Sequence, residues 1–345
     1  MSQPHLARCI LALETTCDET AAAIVDENLR VLGEVVASQD RLHEKYRGVV
    51  PEIAARAHLE QIIPVIDTAL RRADISLRQL SGIAVAYTPG LAGSLMIGLA
   101  AAKALAVALR LPLLGVNHLH AHIYACRIAT GQPIFPCVGM IVSGGHTSIY
   151  VCHGAVEFEL LGGTIDDAAG EAFDKVAHLL GLPFPGGPAL SRLADEGDAN
   201  RFPFPRSFIH EPDRIQFSFS GLKTAVRYTL ERLRAGGPSD LPPSLARDVA
   251  ASFQAAVIDC LVAKAVRAIQ ITGLRRLCVG GGVAANRRLR LALHAEADEA
   301  GFELIIAPPK LCTDNAVMGG IAIEKLIAGQ FDDLSLDIQP GLVRA

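Results

Sequence analysis

Three groups of side chains in this 345-residue chain have types and spacings suited to chemistry. His118 and His122 stand four apart in Asn117-His-Leu-His-Ala-His122. On a helix that spacing puts both imidazoles on one face, one turn apart, where they can grip a single divalent metal. His120 then points elsewhere. Leu119 stands where a zinc peptidase's HExxH helix has its Glu, so the pair is not that motif. The alternative is a helix whose histidines satisfy core contacts. Asp314, in Lys310-Leu-Cys-Thr-Asp-Asn315, either caps the next helix or completes a His/His/Asp metal set with positions open for substrate. Asp18 lies in the polar run Glu14–Thr20 between two apolar segments. Such a turn can meet a metal through the carboxylate or a phosphate through Thr hydroxyls; an ordinary hairpin tip accounts for it as well.

The third group is two glycine turns. Ser143-Gly144-Gly145 follows one apolar run, and Gly280-Gly281-Gly282 links another to a helix with Asn286 in its first turn. Glycine lets backbone approach a nucleotide closely, though it also serves plain strand–helix packing. Two such turns after strands of an α/β pattern point to a phosphate-bearing ligand in a cleft.

The elements that must position these groups follow from periodicity. Cys9–Leu13, Ala21–Val25 and Val31–Gly33 read as strands joined by polar turns. Val49-Val-Pro-Glu52 is expected to open a helix running through Ala73, with a second start near Pro64, then a strand over Ile83–Ala86. A long apolar helix opens at the Pro89–Ser94 turn and leads to a strand over Leu113–Val116, which delivers the chain to the histidines. The arrangement then recurs, with strands at Cys137–Val142, Ile149–Cys152 and Val156–Leu161 around the turn at Ser143, so a duplicated domain is expected. Helices follow at Asp166–Leu180, from Phe217 to a stop at Gly236-Gly237-Pro238, at Leu245–Thr272, Ala284–Ala300 and Ala316–Ala328, with strands at Arg275–Val279 and Phe302–Ala307.

Half of the chain is hydrophobic and the net charge is −4, which excludes a generally basic nucleic-acid coat. A local basic patch remains open: Arg275, Arg276, Arg287, Arg288 and Arg290 are either an RNA-facing cluster or a solvated helix face. The 8 cysteines form no CxxC pair and suit a reducing cytosol. Lys103 and Arg110 interrupt the most apolar stretch, Leu91–Val116, so a buried helix and strand are expected there rather than a membrane span. Met1–Arg8 is polar and the apolar residues after it are broken by Glu14 and Asp18, so no secretory signal is read and a cytoplasmic location is expected.

Nine segments in one order carry a family resemblance: Glu14-Thr-Thr-Cys-Asp-Glu-Thr20, Val49-Val-Pro-Glu52, Asn117–His122, Val142-Ser-Gly-Gly-His146, Gly170-Glu-Ala-Phe-Asp-Lys175, Pro185-Gly-Gly-Pro188, Phe217-Ser-Phe-Ser-Gly-Leu-Lys223, Gly280-Gly-Gly-Val-Ala-Ala-Asn286 and Cys312-Thr-Asp-Asn315. Singly each is weak; together, over residues 9–330, they resemble the Kae/TsaD/Qri family of tRNA threonylcarbamoyladenosine transferases. The resemblance implies a duplicated actin-like ATPase fold (sugar kinase, heat-shock protein and actin) with two lobes around a cleft. Residues 1–130, joined by a C-terminal helix over 315–345, would form one lobe, and 131–314 the other. It implies transfer of a threonylcarbamoyl group from threonylcarbamoyl-AMP to N6 of the adenosine 3′ of the anticodon in ANN-decoding tRNAs.

By motif match, His118, His122 and Asp314 would hold one divalent metal per subunit. Fe2+ is favoured by the resemblance, with Zn2+ the alternative, since two His and a carboxylate suit both. Ile141, Val142, Ser143, Gly144, Gly145, Asp174, Gly187 and Asn286 would bind the adenylate. Some relatives carry an acidic residue four places after that glycine, where this chain has Ser191. No general base is identified; Asp18 is the candidate. The partners implied are tRNA, a TsaB-like paralogue and a TsaE-like ATPase, with no membrane. Two other readings are a metallopeptidase, which the absence of Glu after His118 opposes, and a nucleotide-switched actin-fold scaffold.

Overall fold

Six consecutive buried residues, Cys9–Glu14, form β1 at the centre of the first sheet. A strand covered on both faces reads as a continuous apolar run. β1 pairs antiparallel with β2 (Glu19–Asp26), which pairs antiparallel with the edge strand β3 (Val31–Ser38). On its other side β1 pairs in parallel with β4 (Gly82–Thr88), and β4 with β5 (Leu113–Asn117). The computed structural model describes residues 7–46, 48–211, 213–235 and 241–341. The stop expected at Gly236–Pro238 lies outside them.

Two helices cover one face of this sheet. α1 (Pro51–Ala73) starts with Pro at its first position and ends where Asp74 turns left-handed. It does not restart at Pro64, which is exposed within it; the missing N–H leaves a carbonyl that water can satisfy. Ile62, Val65, Ile66 and Ala69 of α1 and Leu99, Ala102 and Ala106 of α2 (Ala92–Leu109) join the core with β1, β2 and β4. α2 is long and apolar enough to cross a membrane but only 33% of it is buried, so the buried helix expected here is buried on one face. α3 (His118–Thr130) begins directly after β5.

The second sheet repeats the first strand for strand. β6 (Cys137–Val142) pairs antiparallel with β7 (Thr147–Cys152), and β7 with β8 (Phe158–Gly163). β6 pairs in parallel with β9 (Arg276–Gly280), and β9 with β10 (Glu303–Ile306). The orders β3-β2-β1-β4-β5 and β8-β7-β6-β9-β10 correspond, as a duplicated domain requires. This sheet carries α4 (Ala169–Leu179), α5 (Gly186–Ala194), α6 (Ser220–Ala235), α7 (Pro243–Thr272) and α8 (Arg287–Ala300). α4 starts later than its acidic prelude suggested, because Asp166 instead accepts from Phe219 N at 2.8 Å and Ser220 Oγ at 2.8 Å at the start of α6. α7 also has the length of a membrane span, yet 83% of its apolar window is buried in protein.

The chain divides into two compact units, residues 1–133 with 313–345, and residues 134–312. The sequence boundaries at 130 and 314 therefore shift, and Asp314 falls in the first unit. Among the described residues no single helix fills the stretch from 315: a 3-10 turn at Val317–Ile321 precedes α9 (Ala322–Ile327), and residues 328–341 are then irregular. Asp332 fixes that tail, its Oδ2 accepting from Gly115 N at 2.7 Å and Lys325 Nζ at 2.6 Å.

Gly281 holds φ +94°, and a Cβ there would lie 2.5 Å from Val142 O, whereas one at Gly282 would meet open space. Gly281→Ala is expected to lower unfolding stability by about 1–3 kcal/mol, and Gly282→Ala by less than about 0.5 kcal/mol, in urea denaturation.

Candidate functional site

β5 ends at Asn117, whose side-chain oxygen accepts from Leu119 N at 2.9 Å and His120 N at 3.3 Å. This cap fixes the first residue of α3 as His118 and turns His118 and His122 onto one face. Their rings stand edge to face, centroids 4.6 Å apart at 77°. Asp314 Oδ1 lies 3.5 Å from His118 Nε2 and 3.2 Å from His122 Nε2. Asp314 is not the cap of the turn that follows: Ala316 holds that position, and Met318 N donates to Asn315 Oδ1 at 3.2 Å. All three residues belong to the first unit.

Burial sets the electrostatics. His122 is wholly buried and His118 is 5% exposed. Burial pushes the His118 imidazole down, but the carboxylates of Glu14 and Asp314 outweigh it and carry the ring up to about 9. Burial wins at His122, which is held below the usual range against the pull of Asp314. The 3.2 Å approach of His122 Nε2 to Asp314 lacks hydrogen-bond alignment, and among the described residues neither ring nitrogen of His122 has a hydrogen-bond partner. Buried polar atoms in that condition are costly. An ion bonded to Nε2 and Oδ1 at about 2.1 Å would hold the two about 3.0–3.4 Å apart, so the donors present fit a small divalent cation.

Asp18 is half-buried beside Glu19; with Asp40 they bring three carboxylates within 4.8 Å. Burial, then Asp314 and Asp18, push Glu19 up to about 10. Glu14 was given no role in the sequence and Thr16 only a share in the turn's hydroxyls, yet both face His118. Glu14 Oε2 stands 3.0 Å, and Thr16 Oγ1 3.2 Å, from its Nδ1. The available signal was a carboxylate closing an otherwise apolar strand.

In the second unit, Ser143 N donates to His146 O at 2.8 Å and His146 N to Ser143 Oγ at 3.1 Å, closing the turn. Gly144 and Gly145 are exposed, and a Cβ on either would meet open space. The turn rests on the start of α4, where a Cβ at Gly170 would fall 2.5 Å from Ser143 O. Ile141 and Val142 are fully buried in β6 and offer main chain alone. Asp174 Oδ1 accepts from Gly186 N at 2.9 Å and Gly187 N at 3.1 Å, pinning the loop that opens α5.

Asn286 is the N-cap of α8, not a residue of its first turn: its Oδ1 accepts from Leu289 N at 3.0 Å. Its amide donates to Ser191 Oγ at 2.9 Å and Gln254 Oε1 at 2.8 Å, so both side-chain hydrogens are committed within the protein. The buried Gln254 was not anticipated. Of the five arginines, Arg276 is tied to Glu303 at 2.7 Å and Ile134 O at 2.7 Å, and Arg290 to Ala307 O. Arg275, Arg287 and Arg288 are exposed.

Comparison with known proteins shows the family of the chain. Residues 30–321 match the family model of TsaD, tRNA N6-adenosine threonylcarbamoyltransferase. A protein of that name from Rhodopirellula baltica is 56% identical, over 100% of this chain and 99% of the relative. One from Bacillus subtilis is 48% identical, over 96% of this chain and 95% of the relative. Among solved structures, full-length HypF superposes with TM-score 0.62 at 16% identity, covering 94% of this chain and 56% of HypF, so this chain spans just over half of that protein. Component A of the (R)-2-hydroxyglutaryl-CoA dehydratase of Acidaminococcus fermentans gives TM-score 0.53 at 14% identity, over 93% and 100% of the two chains. These two share the duplicated actin-like ATPase fold and speak to fold alone. Matched from end to end by such relatives, the chain belongs to the family of tRNA N6-adenosine threonylcarbamoyltransferases, acyl-transferring enzymes.

Proposed function

We propose that this chain, acting in the cytoplasm, transfers the threonylcarbamoyl group of threonylcarbamoyl-AMP to N6 of the adenosine 3′ of the anticodon in ANN-decoding tRNAs. Within a chain of this family, the observation that carries the reading is the convergence of His118, His122 and Asp314 donors on one point. Those three residues would hold the cation, Fe2+ in preference to Zn2+. Once bound, it supplies a Lewis acid that orients the threonyl group and polarises the carbamoyl carbonyl.

The rest is done by the chain's own groups. The open backbone at Gly144, Gly145 and Gly282 admits the adenylate's phosphate and ribose closely. Adenine delocalises the N6 lone pair, so the amine is a poor nucleophile and positioning must supply much of the rate. The N6–carbon bond forms, the bond from that carbon to the phosphate oxygen breaks with its electron pair leaving on AMP, and N6 loses a proton. Asp18 is the side chain proposed to receive it. The peptidase alternative lacks the glutamate that should follow His118 in sequence, where the buried Leu119 stands. A scaffold role would be favoured if His118→Ala left cellular function intact.

The partners proposed are a TsaB-like paralogue and a TsaE-like ATPase. Support for the first is apolar surface on the α1–α2 pair, which touch where Gly93 meets Ala55. Leu59 (63% exposed), Ile63 (74%), Met96 (55%) and Val107 (58%) face solvent there. Isolated monomers rarely leave such faces bare.

Two outcomes test these assignments. Asp314→Asn and His122→Ala should each cut incorporation of labelled threonine into tRNA at least about 100-fold and abolish metal retention on anaerobic purification; wild-type transfer by a metal-free variant would sink the cation's role. Ile63→Glu or Met96→Glu should weaken co-elution with the paralogue at least about 10-fold while thermal unfolding stays near wild type; undiminished binding would place that partner elsewhere.

A further inference from the structure

We propose that Glu14 is the positioning residue of the His118/His122/Asp314 centre, fixing the tautomer of His118 and so making the two histidines unequal ligands. The inference rests on the cation reading above and goes beyond the three donors.

Glu14 is the last residue of β1 and is 3% exposed. A carboxylate so deeply buried is expensive unless its oxygens are occupied. Oε1 accepts from Thr16 N at 2.7 Å, and Oε2 faces His118 Nδ1 at 3.0 Å. An ionised carboxylate only accepts, so Nδ1 must carry the hydrogen. The lone pair of His118 is then at Nε2, the atom that faces Asp314 at 3.5 Å. A carboxylate behind a ligating imidazole both fixes the ring and raises its basicity. His122 has no counterpart: among the described residues its Nδ1 lacks a hydrogen-bond partner, and packing alone orients the ring.

The turn that carries Glu14 is itself clamped. Leu91 N donates to Thr16 O at 2.8 Å and Thr15 Oγ1 to Ser94 O at 2.9 Å, both at the start of α2. A Cβ at Gly90 would stand 2.6 Å from Thr16 O, so the Pro89–Gly90 segment can press on this turn only as glycine. A purely structural Glu14 would need one oxygen on Thr16 N and nothing more. The second oxygen, aimed at the ring nitrogen opposite Asp314, is what a positioning role adds.

Glu14→Gln separates the two. It preserves shape and keeps an acceptor for Thr16 N, but turns its NH2 toward His118 Nδ1. The ring must then place its hydrogen on Nε2, facing Asp314, where it blocks the donor. Chelator-competition titration of the full chain with Co2+ is expected to show about 10- to 100-fold weaker binding for Glu14→Gln, with an altered visible Co2+ band. The metal-free variant should unfold at a temperature close to wild type. Wild-type affinity and spectrum in Glu14→Gln would overturn the proposal while leaving the cation reading intact. A wild-type chain that holds no Co2+ or Fe2+ would overturn both. Should the variant not fold, 15N NMR of the wild-type imidazoles with Zn2+ bound decides: a hydrogen on Nδ1 of His118 supports the proposal, and one on Nε2 overturns it.

Discussion

The first unit is organised by a single cost, that of taking two imidazoles and a carboxylate out of water side by side. Glu14, His118 and His122 are each at most 5% exposed. Groups of that kind stay buried only where each is paired with an opposite charge, a donor or a cation. The opposite displacements of the two histidines show the balance at work: the one with two carboxylates at hand is drawn up, and the one left to burial is driven down. The neighbouring backbone is held accordingly. Cys17 O accepts from His58 Nε2 at 3.0 Å and from Ser94 Oγ at 3.3 Å, and Thr20 Oγ1 meets His58 Nδ1 at 2.8 Å. The turn after β1 thus cannot drift without breaking buried bonds to both α1 and α2.

Duplication explains how one architecture supplies two kinds of site. The turn after β1 and the turn after β6 occupy equivalent places in the two sheets. In each unit a glycine that follows the parallel neighbour of the central strand presses on that turn's base. Gly90 after β4 approaches Thr16 O, and Gly281 after β9 approaches Val142 O; added Cβ atoms would stand at 2.6 and 2.5 Å. The device is the same and the contents differ. The first turn is filled with carboxylates and hydroxyls that turn inward, the second with Gly144 and Gly145 that leave main chain bare. Inward carboxylates are suited to a cation and bare main chain to a phosphate.

Much of this was legible in the chain itself. The His118/His122 spacing, the strand runs and the repeat depend on periodicity, which local sequence carries. What was not legible depended on competition between neighbours for one role. Asp314 and Asn315 are both good cap types, and only the fold shows that Asn315 accepts from Met318 N while Asp314 faces the histidines. Asn286 looked free to meet a ligand, but its amide is spent on Ser191 and Gln254, residues far away in sequence. Asp166 reads as the acidic start of α4 and instead serves α6. Pro64 suggested a break that its exposure makes unnecessary. In each case the residue type was right for two jobs, and tertiary contact chose.

α2 shows why composition alone misjudged one surface. Its residues are apolar almost all round, which reads as a helix buried on every side. In the fold the inward face carries two tasks: Leu95, Leu99 and Ala102 pack into the core, while Ser94 and Gly98 seat Thr15, whose Oγ1 would meet a Cβ at Gly98 at 2.3 Å. That close approach demands small residues, so α2 can bury little bulk on that side. The outward face keeps Met96 and Val107 in solvent. The apolar exterior is therefore not a leftover of core design, since nothing in the packing of the turn requires it. Met96 and Val107 therefore add apolar surface without adding to the core.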